Sequence, residues 1–206
     1  ETFDPGQYTV KLTVTTANGD LYYNKLSKSM DLNLVAKEFI YMENFDSGIP
    51  STYTLLDADG DGHNWYWDSY AGDGYLLSAS YDDVDGALHP DNWIFTPEID
   101  LTGEDGSKDL YISYTVCPTA NTPAYRTETY AVYVSTVNST NPSDYLTNVI
   151  TNETLTEAMT NWVYVPREFK ITQFAGQKIR IAFRHYASTD LDRISINDLG
   201  VYRKLF

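Results

Sequence analysis

The sequence predicts an all-β protein, a β-sandwich preceded by a short N-terminal β-appendage, on three observations. Eighteen tyrosines and four tryptophans in 206 residues, with many Thr and Ser, favour the pleated, half-buried surfaces of sheets. Short runs of alternating apolar and polar residues recur along the chain, separated by clusters of Gly, Pro, Asn and Asp. Helical periodicity is scarce, with only Leu155–Met159 reading as a short helix.

Residues 1–36 form the appendage. A turn at Phe3-Asp4-Pro5-Gly6 enters a strand in which Tyr8, Val10, Leu12 and Val14 share one face. Asn18-Gly19 is a hairpin signal, and further strands are expected near Leu21–Tyr23 and over Ser29–Val35. The pattern Pro5-Gly6-x-Tyr8-x-Val10-x-Leu12-x-Val14 followed by Asn-Gly resembles the closing strands of a PKD-type immunoglobulin-like module. Its earlier strands are missing, so the chain is read as beginning inside such a module, the alternative being an added β-appendage.

Residues 38–206 read as the main sandwich. Leu110–Val116 alternates with Leu110, Ile112, Tyr114 and Val116 inward, and Thr129–Val134 and Val163–Phe169 are further strands. In Ile179–His185 the residues Ile179, Ile181, Phe183 and His185 share a face, which makes His185 a satisfied core histidine rather than a catalytic one. Residues 136–160, rich in Asn, Ser and Thr, read as a long surface excursion, and Gly72-Asp73-Gly74 as a turn. In the last strand Ile194 and Ile196 set one apolar phase and Leu199 and Val201 the other. A β-bulge at Asn197-Asp198 is the simplest device for that slip, and it re-aims both side chains towards a functional contact.

Asp57-Ala58-Asp59-Gly60-Asp61-Gly62 is the chemical centre of the sequence. Three carboxylates at alternate positions repel one another unless a cation sits between them, and a hard cation with oxygen ligands, above all Ca2+, is the natural answer. The spacing matches an EF-hand as far as Asp68, but the flanks Thr52–Leu56 and Trp65–Trp67 are strand-like, so the EF-hand is rejected and the metal kept. His63 reads as a loop anchor.

The net charge of −15 excludes nucleic acid and anionic membrane surfaces as partners. No apolar run approaches the about 20 residues of a membrane helix. With no signal peptide at Glu1, the chain is read as a mature or excised fragment. The single cysteine, Cys117, forms no internal disulfide and reads as a buried, inert thiol.

Several ordered segments carry a second resemblance. They are Glu43–Pro50, Leu56–Trp65, Pro90–Glu98, Tyr130–Ser135, Ala182–Tyr186 and Ile194–Leu199. Together they are similar to the cleaved-adhesin domains of gingipain and haemagglutinin surface proteins over about residues 38–202. The resemblance implies a jelly-roll-like sandwich, related to carbohydrate-binding-module and MAM-like folds, with structural Ca2+. By motif match, Asp46 and the Asn44 carbonyl would meet Asp57 and Asp59 at one ion, with Glu43 a weaker candidate. Asp61, Asn92, Asn197 and Asp198 match the family's metal-binding segments without being divided between ions. Joining the acidic loop to the late bulged strand would clasp both ends of the sandwich.

The expected function is non-catalytic adhesion by a monomeric module of a larger secreted or surface bacterial protein. Its expected partner is a host or environmental glycoprotein or a polysaccharide. Trp65, Tyr66, Trp67, Tyr70 and Trp93 offer rings for sugar stacking, and Tyr125, Tyr145 and Trp162 lie in the loops 118–128 and 136–162, whose sequence is the chain's own. Of these, Trp65, Trp67, Tyr125 and Trp162 are taken as ligand contacts. The alternatives are a glycan-active hydrolase using acids of the same loops, and a structural spacer attached to a protease or another enzyme. No nucleophile motif such as Gly-x-Ser-x-Gly is present.

Overall fold

The computed structural model describes residues 37–205 in full, together with the backbone of residues 6–14 and 26–34. The chain divides into two units, Glu1–Glu38 with Lys204–Phe206, and Phe39–Arg203. In the first, β1 (Gly6–Val14) pairs antiparallel with β2 (Leu26–Leu34), in register from Gly6 opposite Leu34 to Val14 opposite Leu26. The strand expected from Tyr8 is present in β1, and that expected from Ser29 is present in β2. The Asn18-Gly19 turn and the strand near Leu21–Tyr23 lie outside the described residues.

The remaining strands are β3 (Lys37–Glu43), β4 (Thr54–Asp57), β5 (Tyr66–Tyr70), β6 (Asp73–Ala79), β7 (Tyr81–Asp82), β8 (Gly86–Ala87), β9 (Asp91–Phe95) and β10 (Ile99–Asp100). They continue with β11 (Leu110–Pro118), β12 (Thr129–Ser135), β13 (Val149–Thr154), β14 (Val165–Lys170), β15 (Lys178–Tyr186) and β16 (Arg193–Lys204). One sheet has the order β13-β12-β15-β9-β4, with β10 also on β15; the other has β14-β11-β16-β6-β5, with β3 on β16. Strands distant in sequence thus lie side by side, and the two sheets face each other as a β-sandwich.

Alternation explains the core. Ile112, Tyr114 and Val116 of β11 meet Val132, Val134, Ile181 and Phe183 of β12 and β15. Tyr114 crosses the gap, edge-on to Phe183 at 5.1 Å and hydrogen-bonded to the Tyr130 hydroxyl at 2.9 Å. Ile179, Ile181, Phe183 and His185 are all buried, as their shared face requires. Cys117 is buried too, and burial pushes its thiol pKa up to about 12, so it is an inert core residue. The opposite face of the β9 sheet carries its own apolar layer of Trp93, Phe95, Tyr133 and Tyr145, and that is where the 136–148 excursion goes.

The expected bulge is present. Ser113 lies opposite Gly200 and Thr115 opposite Asn197, so β16 accommodates one extra residue there. Asp198 adopts φ +53°, and Ile194, Ile196, Leu199 and Val201 all end up buried despite their opposed phases.

Three expectations are corrected. Residues 155–159 form a turn, not a helix: Met159 N–H donates to Thr156 O, and Leu155 is drawn into the core while Thr156 and Thr160 resist helix. The excursion from 136 contains β13, a partly exposed edge strand whose Asn and Glu residues hide its pairing with β12. The turn near residue 72 is Ala71-Gly72, both at positive φ, and Gly74 belongs to β6. Glycine is needed there because a Cβ would stand 2.2 Å from the Phe45 carbonyl oxygen.

That contact makes a prediction. Gly74→Ala is expected to lower unfolding free energy by about 2–3 kcal/mol, whereas Gly103→Ala, with nothing within 4 Å of its Cβ, stays within about 0.5 kcal/mol of the parent. Urea denaturation of both variants checks it.

Candidate functional site

The acidic loop leaves β4 at Asp57, and the backbone of β9 holds it in place. Ala58 N–H donates to Asp91 O at 3.0 Å, and Asp59 Oδ1 accepts from Asp91 N–H at 3.0 Å. Within the loop, Asp57 accepts from Gly60 N–H at 2.7 Å and Gly62 N–H at 2.9 Å, and Asp61 accepts from His63 N–H at 2.8 Å. Gly60 and Gly62 take the positive φ values the loop needs, +76° and +89°. Slight burial alone would raise the Asp57 pKa, but the Gly62 and Gly60 amides outweigh it and hold Asp57 below the usual range. Asp59 is raised, first by burial and also by repulsion from Asp61.

Among the described residues, the acidic groups brought within ligand distance of one another are Asp57, Asp59 and Asp61, each offering an atom within 4.8 Å of the others. Asn92 lies directly opposite Asp57 across the β4–β9 pair, so both side chains leave the same face of the sheet. Asn92 is buried, its amide donates to Ser78 Oγ at 3.2 Å, and its Oδ1 has no hydrogen-bond partner among the described residues. A buried carbonyl oxygen without a donor is costly. Three clustered carboxylates, with Asn92 on the same face as Asp57, form an oxygen-only set whose chemistry suits a hard divalent cation.

The other metal candidates sit elsewhere. Asp46 accepts from Gly74 N–H at 3.2 Å and from the Asn44 amide at 2.6 Å, and Glu43 accepts from Phe45 N–H at 2.8 Å. Asn197 Oδ1 accepts from Asp198 N–H, and Asp198 accepts from Thr115 Oγ1. Because Ile196 pairs with Leu76 in an antiparallel ladder, Asn197 and Asp198 run on towards the Gly74 end of β6, the end that holds Asp46. The candidates thus fall into an acidic-loop group and a β6-start group.

Between the sheets lies a buried polar chain that sequence reasoning saw only at His185. Ser78 Oγ is 2.8 Å from His185 Nδ1, and His185 Nε2 is 3.0 Å from Glu128 Oε2. Ser80 Oγ donates to Glu128 at 2.7 Å, as does Asp192 N–H at 3.0 Å. Ser78, Ser80, Glu128 and His185 are 0% exposed. The order Ser–His–Glu has the form of a hydrolytic triad, but Ser78 Oγ already accepts from Asn92 inside a closed core, so its position is that of a structural tie. Burial pulls the Glu128 pKa up, but the bond to His185 and its charge outweigh that, and the carboxyl titrates below the usual range. Glu128 left no local signal in the sequence, since its partners are remote strands.

The aromatic candidates separate by exposure. Trp65 is 1% exposed, and its indole N–H donates to Asn92 O at 2.9 Å, so the expected ligand contact is corrected to a core residue. Trp93 is likewise buried, beneath Arg184. Trp67 keeps a partly open ring but donates to Phe45 O at 2.8 Å. Tyr125 lines an open polar cleft of about 440 Å3 with Tyr81, Asp83, Asn121, Asp190 and Arg193. Trp162 lines a second cleft, of about 460 Å3, with Tyr70, Asp73, Tyr75 and Tyr164. The loops beside both clefts are tied together. The Arg126 guanidinium donates to the carbonyls of Ala120, Asn121 and Met159, and the Asn161 amide donates to Asn121 Oδ1. His63 anchors on Asp85 at 3.0 Å, as expected.

With this geometry in place, comparison with known proteins is decisive: the Cleaved Adhesin Domain profile matches residues 38–201. The chain belongs to the cleaved adhesin domain family. It is 33% identical over 179 residues to Hemagglutinin A of Porphyromonas gingivalis, covering 77% of this chain and 6% of that protein. It is 32% identical over 173 residues to Gingipain R1 of the same species, covering 77% and 10%. The chain therefore spans about a tenth or less of these two relatives. Among solved structures, the K3 cleaved adhesin domain of Lys-gingipain from Porphyromonas gingivalis superposes at TM-score 0.66 with 30% identity, over 81% of this chain and 99% of that one. The K1 domain follows at 0.65 and 30%, over 81% and 97%. The relatives are proteins of a bacterium, and this chain is an adhesin domain with a β-sandwich fold.

The buried chain yields a prediction. A carboxyl whose pKa is depressed on folding contributes stability above its unfolded value, near 4.5, and that contribution is lost as pH falls through the lower folded value. Glu128→Gln should therefore cost about 3 kcal/mol near neutral pH and show a flatter loss of stability in acid. Urea denaturation at pH 7, 5, 4 and 3, read as differences from the parent, checks both.

Proposed function

We propose that this domain is a non-catalytic, calcium-stabilised adhesion module of a secreted or surface bacterial protein, and that it binds a glycoprotein or a polysaccharide. The observation that carries the ligand reading is the polar cleft beside Tyr125. Sugar hydroxyls need acceptors and donors at once and an apolar face for the ring. The cleft lining offers acceptors in Asp83, Asp190 and Asp192, donors in Asn121, Thr122 and Arg193, and rings in Tyr81 and Tyr125. Its size is that of small-molecule sites generally.

One observation favours a glycan hydrolase instead. Asp192 lines the cleft and burial raises its pKa, although Arg193, 2.8 Å away, opposes the shift. A raised carboxyl beside other acids is what a general acid requires. The ion pair with Arg193 argues for a structural carboxylate. A panel of labelled glycans separates the readings: binding without cleavage supports adhesion, whereas cleavage abolished by Asp192→Asn overturns it. A chain that binds nothing on glycan or matrix-protein arrays is a spacer.

The calcium part rests on the oxygen set Asp57, Asp59, Asp61 and Asn92, with Asn44, Asp46, Asn197 and Asp198 as the β6-start group. A cation bound only by the folded state adds RT ln(1 + [L]/Kd), about 2.7 kcal/mol at 100-fold excess over Kd. The melting temperature in millimolar Ca2+ should exceed that in excess chelator by several degrees, and Asp57→Ala or Asp59→Ala should remove most of the gain. Equal melting curves with and without chelator would reject the metal.

A further inference from the structure

The second cleft has a chemistry different from the first. In the β5–β6 hairpin Tyr66 lies opposite Leu77, Asp68 opposite Tyr75, and Tyr70 opposite Asp73. Opposed residues leave an antiparallel ribbon on the same side. Tyr66, Asp68, Tyr70, Asp73 and Tyr75 therefore alternate ring and carboxylate on one face. Leu76, of the other phase, packs into the core, so this face is the outer one. Opposite it stand Trp162 and Tyr164. The Trp162 ring lies 5.3 Å from that of Tyr75, and Trp162 N–H donates to Pro118 O at 2.9 Å. The Tyr164 hydroxyl is committed to Ser195 Oγ at 2.6 Å.

Two features mark this trough as a site. Trp162 holds φ +55°, a left-handed conformation costly for a bulky residue and sustained here by its surroundings. Trp162 and Tyr70 remain 44% and 79% exposed and line a cleft already formed. Its lining is four rings and the Asp73 carboxylate, with no basic side chain, in a chain of net charge −15.

Elsewhere the same chain shows what such a set holds. Arg184 lies with its guanidinium carbon 5.0 Å from the Trp93 ring centroid and 4.3 Å from that of Tyr186. Asp91 accepts from its Nε at 2.6 Å and from its second terminal nitrogen at 2.8 Å. That arrangement is Trp, Tyr and Asp closed around an arginine. The trough presents Trp162, Tyr70 and Asp73 without one.

We infer that the trough is a docking site for an arginine side chain of a protein partner, its guanidinium stacked between Trp162 and Tyr70 and hydrogen-bonded to Asp73. A guanidinium offers only donors and two flat faces, which complements a lining of π-faces and an acceptor. A neutral sugar would use the rings and the hydroxyls but leave the Asp73 carboxylate without a cationic partner, which an arginine supplies. The site is distinct from the polar cleft and gives the adhesin a protein-directed contact in addition to its glycan-directed one.

The test is a titration of the 15N-labelled chain with N-acetyl-arginine amide and with the citrulline counterpart, which keeps the shape and loses the charge. The Trp162 indole signal should move with the arginine compound and not with citrulline. Trp162→Ala and, separately, the exposed hairpin-tip variant Tyr70→Ala should each weaken binding about tenfold, with melting temperatures reported alongside, and Asp73→Asn should weaken it similarly. An unmoved Trp162 signal, an equal response to citrulline, affinity unchanged in the Trp162 and Tyr70 variants, or displacement by neutral methyl glycosides would overturn the assignment. Loss of glycan binding at the polar cleft would leave these readouts unchanged, so the two sites fail independently.

Discussion

The arrangement of this domain depends on one buried hydrogen-bond chain, Asn92–Ser78–His185–Glu128–Ser80, which runs from one sheet to the other. Ser78 belongs to β6, and Asn92 and His185 to β9 and β15, so the chain joins the two layers at a place where apolar packing alone would permit sliding. Apart from Asn92 Oδ1, the side chains of this chain are tied to one another or to nearby backbone at 0% exposure, which fixes geometry more narrowly than hydrophobic contact does. Its ends reach outward. Ser80 and Glu128 hold the backbone of residues 190–192, and Asn92 sits beneath the acidic loop.

Both clefts inherit their shape from this tie. Residues 190–193 form one wall of the polar cleft. Arg126, two residues before Glu128, gathers the carbonyls of the 118–128 and 156–162 loops. Trp162, bonded to Pro118 O, then stands over Tyr75 as the wall of the aromatic trough. The loops that line the clefts are thus mounted on the buried tie, the arrangement that lets a binding surface vary without loss of fold. The calcium reading adds a cation to the same end of β4 and β9, neutralising charge where a chain of −15 is most crowded.

Much of the fold was legible because strand signals are local. Alternation in Leu110–Val116 and Ile179–His185 placed inward residues correctly, and the phase conflict between Ile196 and Leu199 located the bulge at Asp198. The acidic loop was legible because its three carboxylates are close in sequence. Glu128, Ser78 and the aromatic trough were not, since each is assembled by register between strands dozens of residues apart. Trp65 misled for the same reason: an aromatic beside an acidic loop reads as surface, whereas its indole turns inward and donates to Asn92 O on β9. The β13 strand was hidden by Asn152 and Glu153, polar residues that an exposed edge tolerates.

The central claim is that the binding loops are held rigid by the buried tie rather than by their own sequence. Amide hydrogen exchange at Asp190, Leu191 and Asp192 measures this directly, since these N–H groups donate to Ser80 O, Ser80 Oγ and Glu128. Exchange as slow as that of the β11 and β15 core amides, opening only with global unfolding, is the predicted result. Exchange at the rate of a solvated loop, while the core stays protected, would contradict it.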